Sequence, residues 1–479
     1  MKRKTPTPAT GNATVAARKS VTANASKFLA ARLTTLHPSL PREYTLADVK
    51  AHVDAAKSFK DIVTESPDRR ILQPSPAVLA KWKRLYPGPF RYNFKAEQFQ
   101  ELVSQKLDGK MMGYCIEVRQ AGSRVVTCEA GNAQTASDRL AGWNRSTRQH
   151  IASCSKFMTA VALVKLLVEK KISYDSTLWQ YLPAYWPIHP DMKAENGSGL
   201  TFRHILTHTS GISTCAFSAD NDFLLMKKVL NCCIPFKGNF LYCNLNFELM
   251  RVLIAVLSGG VDRNLLHDMP SPFSSGPFGL PTANEHFTEW LNRDSIWNFL
   301  TTETYRRYVL ENVFKPAGVD YALFSSDLDA VPGYPGRQVN NKAFAYRYHG
   351  DSAAGWDSGN LENGAGAVGW RLSVKEMLDI LRAVRRSGKI LDAERAAEMC
   401  VQNFGIFKIV TAKGDGYVHN GWWQDGNKRV EQAVQFLLPD DMEIVGLGNS
   451  SVDFDVAGDK VGHGFQGEIL DAYNLSFAK

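Results

Sequence analysis

Segments with the two-residue alternation of β-strands sit near both ends of this 479-residue chain, and helical patterns fill the stretch between them. Residues 112–120 and 124–128 read as strands joined by a turn at Ala121-Gly122-Ser123. Four more strands are expected at 405–411, 417–423, 430–438 and 442–449, followed by a last helix at 464–473. Strands so far apart in sequence share one sheet only if the two chain segments pair and the intervening residues are inserted. The expected class is therefore α+β: an antiparallel sheet flanked by helices, plus an inserted helical region. The sheet-bearing part should cover about 93–152 and 376–479, and the helical part about 153–375.

Local patterns fill in this frame. Asn93 can cap a helix that carries Phe99, Leu102, Val103 and Leu107. A second helix should begin near Ser153, with Phe157, Ala160, Val161, Val164, Leu167 and Val168 on one side. Residues 45–65 and 76–85 read as further helices in a proline-punctuated leading region. The main domain is expected over 76–479, preceded by a basic extension over 1–75 that is disordered and then helical.

Charge and composition exclude several classes of function. Residues 1–42 carry eight Lys and Arg and no acid, which accounts for the whole net charge of +8. The remainder is neutral overall, so no basic surface for nucleic acid is implied. No apolar run approaches the roughly 18 residues of a membrane span, and the basic tail lacks the apolar stretch of a secretory signal. The expected location is cytoplasmic, or mitochondrial if the acid-free tail is a transit peptide. Eight cysteines are thinly spread without a CxxC pair, which implies neither zinc nor a disulfide framework, and free thiols are the default. His286 and Glu289 lack a second histidine, so no metal is expected; no cofactor is implied either.

Three short phrases carry the chemistry: Ser153-Cys154-Ser155-Lys156, Tyr242-Cys243-Asn244 and His419-Asn420-Gly421. A serine hydroxyl is a weak nucleophile until a neighbouring base takes its proton. Ser153 and Lys156 are three apart, which on a helix brings their Cβ atoms to about 5–6 Å on one face. Burial and the positive end of a helix dipole both disfavour the ammonium, and so turn a lysine into a base. At a helix N-terminus the serine N–H can also face a developing oxyanion.

The context widens the signal. His150-Ile151-Ala152 precedes the first phrase, and Thr207-His208-Thr209-Ser210-Gly211 and Leu241-Tyr242-Cys243-Asn244-Leu245-Asn246 follow it. Beyond them come Lys315-Pro316-Ala317-Gly318, Gly364-Ala365-Gly366-Ala367-Val368-Gly369 and Tyr417-Val418-His419-Asn420-Gly421. In this order the phrases closely resemble the β-lactamase-related serine hydrolases, over about 95–475. That family includes class C β-lactamases, D-alanyl-D-alanine carboxypeptidases, D-aminopeptidases, family VIII-type esterases and a filament-forming relative. The resemblance implies a β-lactamase/transpeptidase-like fold with Ser153 as the acylated nucleophile and Lys156 as its proton acceptor. Tyr242 would be the second general base and acid, and Asn244 would bond Lys156 or the substrate. His419 would line the cleft, and the N–H groups of Ser153 and of Trp422, after Gly421, would face the oxyanion.

One departure points to substrate. His419 stands where β-lactamases usually place a lysine, and a neutral histidine is no fixed anchor for a carboxylate. Esters of small or medium acids are the leading expectation, ahead of D-amino-acid peptides and β-lactams. The small-molecule ester or amide would be the only partner implied, and a non-catalytic scaffold or filament protein is the rival reading. Thr207 to Gly211 is expected to be loop-forming rather than a serine-histidine pair. The irregular, aromatic-bearing stretch 258–298 is expected to be either a lid or rim that selects acyl groups, or else an oligomer contact or a flexible surface loop.

Overall fold

The structure, a computed structural model, describes residues 90, 92–194, 199–212, 222–232, 238–265, 267, 285–320, 323–324, 330–331, 334–338, 341–452 and 464–477. The basic extension, the expected helices at 45–65 and 76–85, and residues 266 and 268–284 of the 258–298 stretch lie outside the described residues. The main elements are α1 (Ala96–Leu107), β1 (Gly113–Gln120), β2 (Ser123–Gln134), β3 (Ala141–Gly142), α2 (Ser155–Lys170), α3 (Asn244–Leu257), α4 (Glu285–Val309), α5 (Val374–Arg386), β4 (Phe407–Thr411), β5 (Gly414–Gln424), β6 (Val430–Leu438), β7 (Met442–Gly448) and α6 (Gly464–Leu475).

The two distant strand groups do share one sheet. Its seven strands run β3-β2-β1-β7-β6-β5-β4, every neighbouring pair antiparallel. The join is β1 against β7, with Tyr114 opposite Gly448 and Gln120 opposite Met442. The turn between β1 and β2 is tighter than the sequence suggested. Gln120 pairs with Ser123, which leaves Ala121 and Gly122, both at positive φ, as a two-residue hairpin loop.

Both faces of the sheet are covered, which explains why its central strands read as nearly continuous apolar runs. Ile116, Val118, Val434, Phe436 and Ile444 face α1 and α6, which offer Phe99, Val103, Phe465 and Ile469. The alternate residues Cys115, Ala433, Leu437, Val445 and Leu447 join the larger core of the helical half. Gly446 and Gly448 let α6 and Met111 approach, since a Cβ at Gly446 would meet Ile469 at 2.8 Å and one at Gly448 would meet Met111 at 2.4 Å. The first helix departs from expectation at its start. Lys95, with no side-chain cap, precedes Ala96, so Asn93 lies outside the helix.

Buried polar groups tie the layers together. Asn449, fully buried after β7, accepts from Trp143 Nε1 at 3.3 Å. It donates to the carbonyls of Asn132, Ala133 and Phe344 at 3.0, 3.2 and 2.8 Å. Cys115, Cys128, Cys154, Cys243 and Cys400 are free thiols, whereas Cys232 is disulfide-bonded, so the default of free thiols fails there. No helix among the described residues is long and apolar enough to cross a membrane.

Replacing Asn449 by Ala would leave an indole N–H and three carbonyls short of a partner in the interior. The expected loss is about 2–4 kcal/mol of unfolding free energy, read from urea denaturation.

Candidate active site

The three phrases converge where α2, α3 and β5 meet. Ser153 lies in a single 3-10 turn (Ala152–Cys154) that leads straight into α2. The turn is held by Ile151, whose N–H donates to Trp370 O at 2.9 Å and whose carbonyl accepts from Cys154 N–H at 3.1 Å. Ala152 adopts φ +45, an uncommon conformation for a residue with a Cβ. In the run Ile151–Ala162 only Ser153 is not fully buried, so the turn lifts one hydroxyl out of the core.

Lys156 is fully buried in the first turn of α2, a helix apolar on nearly every side. Its Nζ is 3.0 Å from Ser153 Oγ and 3.1 Å from the Ala367 carbonyl. The carbonyl can only accept, so one N–H of the amine points there, and a neutral amine keeps its lone pair for the serine hydroxyl. Burial pushes Lys156 down to about 7. Glu248 on α3 opposes this shift, but its own carboxyl is pushed up to about 8, by burial first and Asp222 second. Near neutral pH the amine therefore has no full counter-charge holding it as ammonium.

The Ala367 carbonyl is placed by a glycine. Gly366 has φ +99, and a Cβ there would sit 2.2 Å from Phe247 O, so the loop 364–369 can press onto α3 only without a side chain.

Tyr242 precedes α3 and lies near Ser153, whose side chain favours the ionised phenol and so opposes its upward shift. Its ring centroid lies 5.1 Å from Lys156 Nζ. The residue is 42% exposed, yet burial is the main cause that pushes its hydroxyl up to about 12. The proton thus stays on the phenol across the physiological range. Ser153 Oγ is flanked by an amine poised to lose its proton and a phenol that holds its own.

The strand β5 forms the opposite wall. β4 pairs with β5 only over Gly414–Val418, so from His419 onward this edge of β5 is unpaired. Thr411 and Gly414 bracket a two-residue hairpin loop and form its hydrogen-bonded pair. The same parity puts the backbone groups of Asn420 and Trp422 on the open edge. That edge packs against the nucleophile turn through Gly421, where a Cβ would lie 2.3 Å from Ile151 O. His419 is buried, with Nδ1 2.7 Å from the Asn420 carbonyl; the proton is therefore on Nδ1. Burial first, and the Lys156 charge second, hold His419 down at about 3, so it is a neutral ring.

The expected residues are thus together, with one correction. Lys156 bonds Ser153 and Ala367, not Asn244, which is exposed. α3 starts at Asn244, so the side chain of this first residue faces outward while Asn246, two positions on, takes the buried face. Of the two roles expected for Asn244, only a contact with substrate remains. Trp422 is 37% exposed and Phe240 58% exposed, and Phe407 stands 5.7 Å from Phe240 and 5.2 Å from His419. Trp423 instead packs against buried His150 at 5.7 Å.

Residues 99–265 match the family model Beta-lactamase. Over these residues the chain is similar to the β-lactamase family of serine hydrolases. No curated protein matches this hydrolase in sequence. Among solved structures it is similar to the octameric penicillin-binding protein homologue from Pyrococcus abyssi, at 15% identity and TM-score 0.51 over 74% of each chain. It is also similar to a D-stereospecific amidohydrolase from Streptomyces sp., at 17% identity and TM-score 0.51 over 80% of this chain and 99% of that one. A third is the D-amino acid amidase from Ochrobactrum anthropi SV3 complexed with D-phenylalanine, at 15% identity and TM-score 0.51, covering 78% and 98%. At such identities these structures speak to the fold.

Sequence reasoning passed over four parts of this hydrolase site: His208, Glu248, Ala367 and Phe407. The glycine-rich loop 364–369 was visible as a phrase, but nothing in it says that a main-chain carbonyl is the working atom. Glu248 lies four residues after Asn244 on α3, and nothing in its spacing to Lys156 reveals their electrostatic influence on each other.

Two outcomes are expected. Gly421→Ala should lower acylation of Ser153 at least about 100-fold with little change in circular dichroism, because the added carbon displaces the nucleophile turn. The pH dependence of acylation should show one rising limb, about tenfold per unit below a midpoint near 7. Neither His208 nor His419 should add a second limb between pH 5 and 9, since both are held at about 3.

Proposed function

We propose that this hydrolase transfers an acyl group to Ser153 and then to water, and acts chiefly on esters of small or medium acids. The observation that carries this reading is Ser153 Oγ at 3.0 Å from a fully buried lysine amine shifted to about 7. In the first step the Lys156 lone pair takes the Oγ proton as Oγ bonds the acyl carbon. Tyr242, its proton retained, gives it to the leaving alkoxide and is replenished from Lys156. The N–H groups of Ser153 and Trp422 suit the carbonyl oxygen as it gains charge. Water then repeats the sequence in the second half-reaction. No metal or cofactor enters these steps.

Two features favour esters over anionic substrates. His419 is a neutral ring, held so by burial first and by the Lys156 charge second. Aromatic rings line the His419 side of the site, where Phe407 stands 5.7 Å from Phe240, 6.4 Å from Tyr242 and 5.2 Å from His419. Such a site rewards apolar acyl groups and offers no fixed positive charge to a carboxylate. Amides of D-amino acids form the second reading, supported by the amidohydrolase and amidase among the similar structures.

A fluorophosphonate should add once to the wild type and not to Ser153→Ala by intact mass, and p-nitrophenyl butyrate should turn over only in the wild type. Lys156→Ala should lose at least about 1,000-fold in turnover. Hydrolysis of a carboxylate-bearing cephalosporin should be at least about 100-fold slower, as kcat/KM, than that of the butyrate ester. A folded wild type that takes no label would favour the scaffold reading.

A further inference from the structure

We propose that His208 is a positioning residue that fixes Tyr242 against Ser153. It rests on the reading of Tyr242 as the proton-transferring phenol. Three contacts from this one residue bracket the tyrosine. The N–H of Leu241, before it, donates to the His208 carbonyl at 2.8 Å. The N–H of Cys243, after it, donates to His208 Nδ1 at 3.1 Å. The imidazole itself stacks on the Tyr242 ring, with centroids 4.4 Å apart and planes inclined by 26°. The peptides on both sides of Tyr242 and its aromatic face are therefore set by His208.

The chemistry of the side chain is specific to this task. A backbone N–H can only donate, so Nδ1 must be the acceptor and the ring proton must sit on Nε2. Asn246 Nδ2 donates to the same Nδ1 at 3.2 Å, and Ser210 Oγ donates to Asn246 Oδ1 at 2.6 Å, which fixes the amide in that orientation. A protonated ring would turn Nδ1 into a donor facing two donors, so the arrangement holds only for the neutral imidazole. Burial, the Lys156 charge and His419 keep it so. His208 also adopts φ +57, a backbone conformation that His and Asn enter more readily than most residues with a side chain. The surrounding segment was expected to be merely loop-forming. A loop-forming residue needs neither an acceptor at Nδ1 nor a ring parallel to Tyr242.

The test is a double-mutant cycle on turnover of p-nitrophenyl butyrate, with melting temperature recorded for each variant. His208→Ala should lower kcat about 30-fold with KM within about twofold, since Tyr242 is displaced but the acyl subsite is not. His208→Asn should recover at least about fivefold of that loss, because Oδ1 falls where Nδ1 was and Asn accepts the left-handed backbone. On a Tyr242→Phe background, His208→Ala should cost no more than about twofold further. Additive losses in the cycle, or a folded His208→Ala with wild-type kcat, would overturn the proposal. If His208→Ala does not fold, the same cycle run with His208→Asn decides, additivity again counting against it. Full turnover in Tyr242→Phe alone would reject the role of the phenol and not the contacts around it, which keeps the two failures distinct.

Discussion

Everything at this site depends on one buried amine. Lys156 reaches Ser153 and a main-chain carbonyl, and no described carboxylate lies within salt-bridge distance of it. An ammonium in that setting is expensive, so the interior itself prepares the base. The Tyr242 phenol shows the opposite response to burial, which raises it to about 12. One low-dielectric pocket thus separates two protonation equilibria in the direction that proton shuttling needs.

The fold is the means of burying that amine while leaving its serine accessible. The first half of α2 sinks into the helical core, and in the run Ile151–Ala162 only Ser153, lifted by the Ala152 turn, escapes it. Two glycines then let main chain come close on either side. Gly366 brings the Ala367 carbonyl onto Lys156, and Gly421 brings the unpaired edge of β5 onto the nucleophile turn. That edge is unpaired because β4 stops pairing at Val418. The groups of the site therefore come from distant parts of the chain, which the closure of β1 on β7 helps to hold together.

The broad architecture was legible because its signals are local. Alternating runs gave β6 over its full length and the other late strands to within a few residues at either end, and they gave the α+β class. The spacing of Ser153 and Lys156 on one helical face was readable for the same reason. What escaped was either backbone or tertiary. Sequence carries no mark for a carbonyl acceptor such as that of Ala367, or for the pairing limit of β4. Asn244 and Asn246 could not be told apart before the start of α3 was known, since that start decides which of them faces inward. His208 was set aside because its neighbours form a loop; only the stack on Tyr242 reveals that the loop serves the site.

The most direct test of this account is the titration of Lys156 itself. The 15Nζ resonance, assigned by its absence in Lys156→Met, can be followed by NMR from pH 5 to 11 in the resting protein. The account expects a midpoint near 7, more than two units below a solvated lysine. A midpoint near 10 would mean that Lys156 is an ammonium at working pH, and the claim that burial prepares it as the base for Ser153 would fail.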